Sequence, residues 1–148
     1  MLNEDLIQNY KVAINHIDDV VIEKEKSEAE GRGYTFVVKH DNGNYLIKIQ
    51  EENDEYSSTK HIFSVHFIVR MSNIPKNKKE LHILKAFNDF NENYGMVKGI
   101  YHKTKNGDAF WFRSEMLSNE CISTDIITNM ISVLKSSPKL LSGLIKAQ

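Results

Sequence analysis

Six histidines and one cysteine are the residues of this 148-residue chain that could bind a metal ion or attack a substrate. A structural zinc site needs Cys and His ligands with converging spacing, and no such cluster occurs in the sequence. His61 and His66 lie five residues apart on one predicted strand, so their side chains point to opposite faces of the sheet. We therefore expect no metal site and no cofactor.

Nucleophilic catalysis has little support in the sequence. Cys121 comes just before a predicted helix N-terminus, which favours a thiolate, but its flanking residues resemble no cysteine enzyme. There is no G-x-S-x-G elbow and no glycine-rich phosphate loop. We interpret Cys121 as a buried or idle thiol and expect no catalytic residue and no enzymatic activity. A single cysteine also excludes an intrachain disulfide, as is usual in the cytoplasm, where we expect the protein to reside.

The net charge and the apolar runs of the sequence indicate which classes of binding partner are disfavoured. The net charge of −1 provides no sustained basic field for a nucleic acid, although it leaves room for a local basic patch. No apolar run approaches the length that crosses a bilayer, so we expect neither a nucleic acid nor a membrane partner. The length suits one compact domain, and we expect a single domain over residues 1–148.

Hydrophobic periodicity predicts the elements that position these residues. A period of three to four predicts a helix over residues 3–22, capped by Asn3, and the charged residues 23–33 are predicted to form a loop. A period of two then predicts strands at 34–40 and 44–50, joined by an Asn-Gly turn, and a third strand at 61–71.

The second half of the chain repeats this alternation of helix and hairpin. A helix is predicted from Lys78 to Tyr94, with Leu81, Leu84, Phe87, Phe90 and Tyr94 as its apolar stripe. A hairpin over residues 96–117 turns at Asn106-Gly107, and a last helix starts at Thr124, with a restart or kink at Pro138. The order α-β-β-β-α-β-β-α predicts an α+β fold, with a five-stranded antiparallel sheet and helices mainly on one face.

The segment FNDFNENYG, residues 87–95, raises the question of whether its asparagines form a chemical site. Asparagine is a poor helix former whose amide bonds nearby backbone groups well. We interpret Asn88 and Asn91 as residues of a helix end, and we expect Gly95 to close the helix in the left-handed conformation.

Two predicted strands place large side chains on the sheet face that is not required for the core between sheet and helices. In the strand 61–71, Phe63 and Val65 are assigned to the core, so Ile62, His66 and Ile68 face the other way. In FWFRSEML, Trp111 and Arg113 share the face opposite Phe110 and Phe112. If no helix or loop of the chain covers Trp111, this face carries an exposed apolar strip, which is typical of a binding surface. The alternative is that Trp111 is covered within the monomer. The candidate partner-binding residues are Trp111, Arg113, Ile62, His66 and Ile68, with Arg113 alternatively paired to Glu115 or to a carboxylate on an adjacent strand.

The combination of motifs over residues 80–145 resembles the YbjN family, whose fold is similar to class I type III secretion chaperones. These motifs are FNDFNEN, the hairpin of residues 96–117, FWFRSEML and the final amphipathic helix. The resemblance implies a small bacterial protein-binding domain that forms homodimers and holds a client polypeptide. It transfers no catalytic residues.

We therefore expect a non-enzymatic chaperone-like or adaptor protein that holds a protein client or effector on a sheet face or edge. One alternative is a toxin immunity protein whose acidic loop (Glu51, Glu52, Asp54, Glu55) covers a basic active site. Another is a small-ligand sensor with a polar pocket around Ser64, His66 and Arg70.

Overall fold

The computed structural model describes residues 2–52, 60–69, 79–104 and 107–147. It is an α+β structure in which three helices accompany one antiparallel sheet of strand order β1-β2-β3-β4-β6-β5. The elements in chain order are α1 (Glu4–Asn15), β1 (Val20–Glu28), β2 (Gly33–His40), β3 (Gly43–Glu51), β4 (His61–Val69), α2 (Glu80–Asn93), β5 (Lys98–Thr104), β6 (Gly107–Ser118) and α3 (Thr124–Ala147). A short 3₁₀ turn, Ala29–Gly31, links β1 to β2.

The sheet has six strands, and the prediction of five was wrong because residues 20–28 form β1. Helix α1 begins as predicted, with the Asn3 side chain accepting a hydrogen bond from the Asp5 amide at 2.8 Å. It ends at Asn15, and Asp19 adopts a positive φ of 60° that redirects the chain. Three β-branched residues then start a strand at the sheet edge, where the charged run that follows can stay in water.

Both predicted hairpins are present. In the first, Asp41 and Asn42 have φ of 48° and 65°, the left-handed values of a type I′ turn, and His40 pairs with Gly43. In the second, Thr104 pairs with Gly107, while Lys105 and Asn106 lie outside the described residues.

The core lies between the sheet and the helices, as predicted. Alternate strand residues enter it, among them Phe36, Ile47, Phe63, Phe110 and Phe112, each with at most 1% of its surface exposed. The helical side contributes Tyr10 and Ile14 of α1, Phe87 and Phe90 of α2, and Ile127, Ile131 and Leu134 of α3. The helices thus cover one face of the sheet.

The buried stripe of α2 differs in part from the predicted one. Ile83, Ala86, Phe87 and Phe90 are buried, whereas Leu81 and Leu84 are exposed by 58% and 43%. The helix is therefore rotated so that its first turn presents leucines to solvent.

Two predicted helix ends also need correction. The last residues of α2 are followed by Tyr94 at φ −120°, and Gly95 does not have the positive φ that we expected. Helix α3 runs from Thr124 to Ala147 through Pro138, so of the predicted restart or kink, the restart was wrong. The Ser137 hydroxyl donates to the Val133 carbonyl at 2.9 Å and so stays within the helix, while Ser123 accepts from the Ile126 amide at the helix start.

Within the described residues, no helix is both long and apolar enough to cross a bilayer.

Candidate protein-binding face

The sheet surface opposite the three helices is here called the outer face. It consists of the strand positions that alternate with the core positions, and the strand register aligns them in rows across the sheet. Its residues with described side chains are Val21, Lys24, Lys26 and Glu28 of β1; Thr35, Val37 and Lys39 of β2; Asn44, Leu46, Lys48 and Gln50 of β3; Ile62, Ser64, His66 and Ile68 of β4; Lys98, Ile100 and His102 of β5; and Ala109, Trp111, Arg113, Glu115 and Leu117 of β6.

An apolar row crosses three strands of the outer face. Trp111 in β6 pairs directly with Ile68 in β4 on one side and with Ile100 in the edge strand β5 on the other. Ile68 and Ile100 are exposed by 40% and 41%, and Trp111 is half-buried between them. We call these three residues the Trp111 row. Ile100 was not among the residues singled out from the sequence, although its alternation with Lys98 and His102 already placed it on one strand face.

Ile62 does not join the Trp111 row. It pairs with Leu117, which is 48% exposed, and lies six residues before Ile68 on the same strand. This separation is about 20 Å at the usual rise of a strand. The polar pairs that Ser64 and His66 make with β6 lie between them. The single apolar strip predicted from the sequence is therefore divided into the Trp111 row and the Ile62–Leu117 pair, which lie at opposite ends of β4.

His66 and Arg113 form the row next to Trp111, because they are direct cross-strand partners. The Nε2 atom of His66 is 3.0 Å from the Ser64 hydroxyl. Burial, together with the nearby positive charges of Lys48 and Arg113, lowers the His66 pKa to about 4. His66 is consequently a neutral imidazole at neutral pH.

The guanidinium of Arg113 is incompletely satisfied. Its Nε atom is buried and has no hydrogen-bond partner among the described residues. The carboxylate of Glu115 is its neighbour on the same strand, but the Nε–Oε2 distance of 3.8 Å is too long for a hydrogen bond. The expected pairing with Glu115 is present only as a loose ion pair, and the Arg113 side chain is 31% exposed.

The two edges of the sheet are guarded. Strand β1 carries a bulge between Ile22 and Lys24 and is rich in charged residues, both of which discourage another strand from pairing. At β5, the Asn91 side chain donates to the Gly99 carbonyl at 3.1 Å and accepts from the Gly99 amide at 2.7 Å. Asn91 thus occupies the place of a neighbouring strand, and its role within FNDFNENYG is structural.

His61 lies on the core side of β4, so the two strand histidines face apart as predicted. Only 2% of its surface is exposed, and its Nε2 atom is 2.5 Å from the Tyr10 hydroxyl. That hydroxyl also accepts a hydrogen bond from the Ile122 amide at 3.2 Å. Burial lowers the pKa of His61 and raises that of Tyr10. This network joins α1, β4 and the segment that precedes α3, and the sequence did not predict it because the three segments are distant along the chain.

A cavity of about 500 Å³ adjoins this network, lined by Leu6, Asn9, Lys60, His61, Glu120 and Cys121 among others. Burial raises the pKa of the Cys121 thiol, which opposes the thiolate that a nucleophile needs. Within the described ranges, no three His, Cys, Asp or Glu side chains group as metal ligands would.

Within the described residues, neither the acidic loop of a toxin immunity protein nor the polar pocket of a small-ligand sensor is complete. Ser64 and His66 bond to each other rather than opening a pocket between them, and Arg70 lies outside the described residues. Of the acidic loop, Glu51 and Glu52 are described at the end of β3, while Asp54 and Glu55 are not.

Comparison with solved structures finds chains similar to this one. The chain is similar to the crystal structure of YbjN from E. coli, a protein with a proposed role as a transcription regulator. The two share 12% sequence identity with a TM-score of 0.48, over 97% of this chain and 89% of that one. No family model and no curated protein matches the sequence. A similarity at this level carries no residue role and no activity to this chain.

Proposed function

We propose that this protein is a non-enzymatic binding protein, chaperone-like or adaptor in type, that holds a polypeptide partner against the outer face of its sheet. The observation that carries the proposal is the Trp111 row. Three helices cover the opposite face, while Ile68 and Ile100 remain exposed on either side of a half-buried tryptophan. Tryptophan in such a setting is enriched among residues that dominate binding energy.

The guarded edges favour the face of the sheet over its edges as the binding surface. A partner strand that extended the sheet at β1 would meet the bulge and the charged side chains, and one that approached β5 would meet the Asn91 amide at Gly99. A partner that lies across the outer face would instead bury apolar area on the Trp111 row, where burial of each apolar Å² contributes about 25 cal/mol.

Two kinds of polypeptide could cover the row: a different protein, or a second copy of this chain in the homodimer expected from the sequence. The experiment that tests the proposal must therefore identify the partner. A photo-cross-linking amino acid is introduced at Ile100 and the protein is exposed to native lysate. A matched probe at Val133, which is 41% exposed on α3, serves as control.

We expect position 100 to yield a specific polypeptide product that position 133 does not, and we expect Trp111→Thr to reduce it. Mass spectrometry of the product, with light scattering for the mass of the free protein, separates a foreign partner from a homodimer. The absence of any polypeptide product specific to position 100 would refute the proposal.

A further inference from the structure

The charge of the outer face differs in sign from that of the whole chain. Among the described side chains of this face, six are Lys or Arg and two are carboxylates, although the chain carries a net charge of −1. The cations are Lys24, Lys26, Lys39, Lys48, Lys98 and Arg113. The sequence pattern placed Lys24 and Lys26 in a loop, so this concentration of positive charge becomes visible only once β1 is a strand of the sheet.

The two carboxylates of the face are already engaged locally. Glu28 accepts a hydrogen bond from the Thr35 hydroxyl at 2.7 Å and lies 3.9 Å from the Lys26 amine. Glu115 is the loose neighbour of Arg113. No ion pair joins Lys24, Lys48 or Lys98 to a carboxylate of the described part of the chain. Within the residues that the structure describes, the face therefore presents cations without a neutralising carboxylate.

These cations flank apolar and neutral groups in a regular order. One row crosses all six strands, and the register places its residues in the order Lys24, Val37, Leu46, His66, Arg113 and Lys98. At the usual strand spacing it extends about 24 Å, with charges at the ends and uncharged groups in the middle. The Trp111 row lies directly beside its Arg113–Lys98 end.

On the basis of the proposed function, we infer that the partner is an acidic polypeptide segment, in which carboxylates flank apolar side chains. The apolar side chains pack on the Trp111 row, and the carboxylates lie against Arg113, Lys98 and Lys48. The Arg113 side chain is 31% exposed, and a carboxylate pairs with a guanidinium in a planar geometry.

Charge argues against a second copy of the chain on this face, and side-chain type argues against a nucleic acid. Two copies of the chain joined by their outer faces would bring two cationic surfaces together, and like charges across an interface oppose association. Single-stranded nucleic acid is anionic, but its bases need aromatic platforms on which to stack. Besides its two histidines, the described outer face has Trp111 as its one aromatic residue, and branched isoleucines flank it on both sides. An apolar amino-acid side chain fits that setting better than a base.

The test begins with an unbiased selection. A display library of short random peptides is selected on the immobilised full chain, and the enriched sequences are determined. Enrichment of Asp and Glu together with aliphatic or aromatic residues supports the inference. Enrichment of neutral or basic sequences overturns it while leaving the proposed function intact, whereas failure to enrich any sequence counts against the proposed function itself. A thymidine oligonucleotide and vesicles of anionic phospholipid are tested in parallel. Tighter binding of either than of the enriched peptides overturns the inference.

The binding site is then located by charge reversal. Affinity for the enriched acidic peptide is measured by fluorescence anisotropy for the double variant Lys48→Glu/Lys98→Glu. The control is Lys85→Glu/Lys139→Glu, which makes the same change in net charge on α2 and α3, away from the outer face. We expect the outer-face variant to bind about tenfold or more weakly and the control to change far less. Equal losses in the two variants would show a non-specific charge effect and overturn the assignment to this face. Circular dichroism confirms that both variants are folded.

Discussion

The Asn91 carboxamide and the backbone of Gly99 exchange two hydrogen bonds, of 3.1 Å and 2.7 Å, between helix α2 and the edge strand β5. A side chain here makes the same pair of bonds as a neighbouring strand would. It attaches α2 to the sheet beside Ile100 of the Trp111 row. The strand that carries part of the proposed binding face thus depends on one amide from the helical side.

Replacement of Asn91 by alanine should therefore destabilise the protein. Both Gly99 groups lose their partner, and we expect the free energy of unfolding to fall by about 1–2 kcal/mol. Chemical denaturation measures this loss. Asn88→Ala, the same change at an exposed position of the same helix, is the control and should change stability by less than about 0.5 kcal/mol. Equal effects of the two substitutions would contradict the role assigned to the Asn91 amide.

A side chain at Gly99 should crowd the core. A Cβ atom at this position would lie 3.0 Å from two ring atoms of Phe87, and a shift of that ring would disturb its stacking on Phe110, at a centroid distance of 5.4 Å. We expect Gly99→Ala to lower stability by about 1–3 kcal/mol, in the range of overpacked cores. Gly143 in α3 offers the opposite case, since a Cβ atom there would have no neighbouring atom within 4 Å. Gly143→Ala should raise stability by about 0.5–1 kcal/mol, and a loss there would contradict this account.

Substitutions should separate the contribution of the outer face to partner binding from the contribution of the core to stability. Trp111→Thr removes a half-buried side chain but keeps a β-branched residue in the strand, so we expect it to reduce partner binding with a stability loss of about 1 kcal/mol. Phe110→Ala, at the adjacent core position with no exposed surface, should cost about 3–5 kcal/mol. Thermal melting and the cross-linking yield at position 100 measure the two effects. If Trp111→Thr proved as destabilising as Phe110→Ala, Trp111 would be a core residue.

Acid should weaken the fold through its strand histidines. Burial lowers the pKa of His66 to about 4 and also lowers that of His61, so the folded protein holds both rings neutral while the unfolded chain protonates near pH 6.5. Stability is thus fully present above about pH 6.5 and falls as the pH drops, with the His66 part of the decline complete below about pH 4.

Denaturation at a series of pH values tests this linkage. We expect His66→Gln to reduce the stability loss between about pH 7 and pH 5 by on the order of 1 kcal/mol, because one group that must be protonated on unfolding is removed. Between about pH 7 and pH 8 neither ring titrates, so the difference between variant and wild type should stay constant there. An identical pH dependence in the two proteins would contradict the buried, neutral state of His66.

Local sequence determined more of the fold than of the site. The hairpin after His40 and the core assignment of Phe63, Val65, Phe110 and Phe112 were correct, since turn chemistry and a period of two depend only on residues close in sequence. The two central turn residues are Asp41 and Asn42, however, and not the Asn-Gly pair. The cap at Asn3 was correct for the same reason. The opposite orientation of His61 and His66 also followed from spacing alone.

Tertiary structure decided the rest, because pairing partners override local pattern. Val20 and Val21 suit a helical stripe as well as a strand, and only the hydrogen bonds offered by β2 make them the start of β1. That one assignment moves Lys24 and Lys26 from a loop onto the outer face. Likewise, only the register of β4, β6 and β5 brings Ile68, Trp111 and Ile100 into one row and leaves Ile62 about 20 Å away. The sequence by itself determined which side chains leave the core, whereas the strand order decided which of them meet, since contacts between distant segments depend on how the whole sheet assembles.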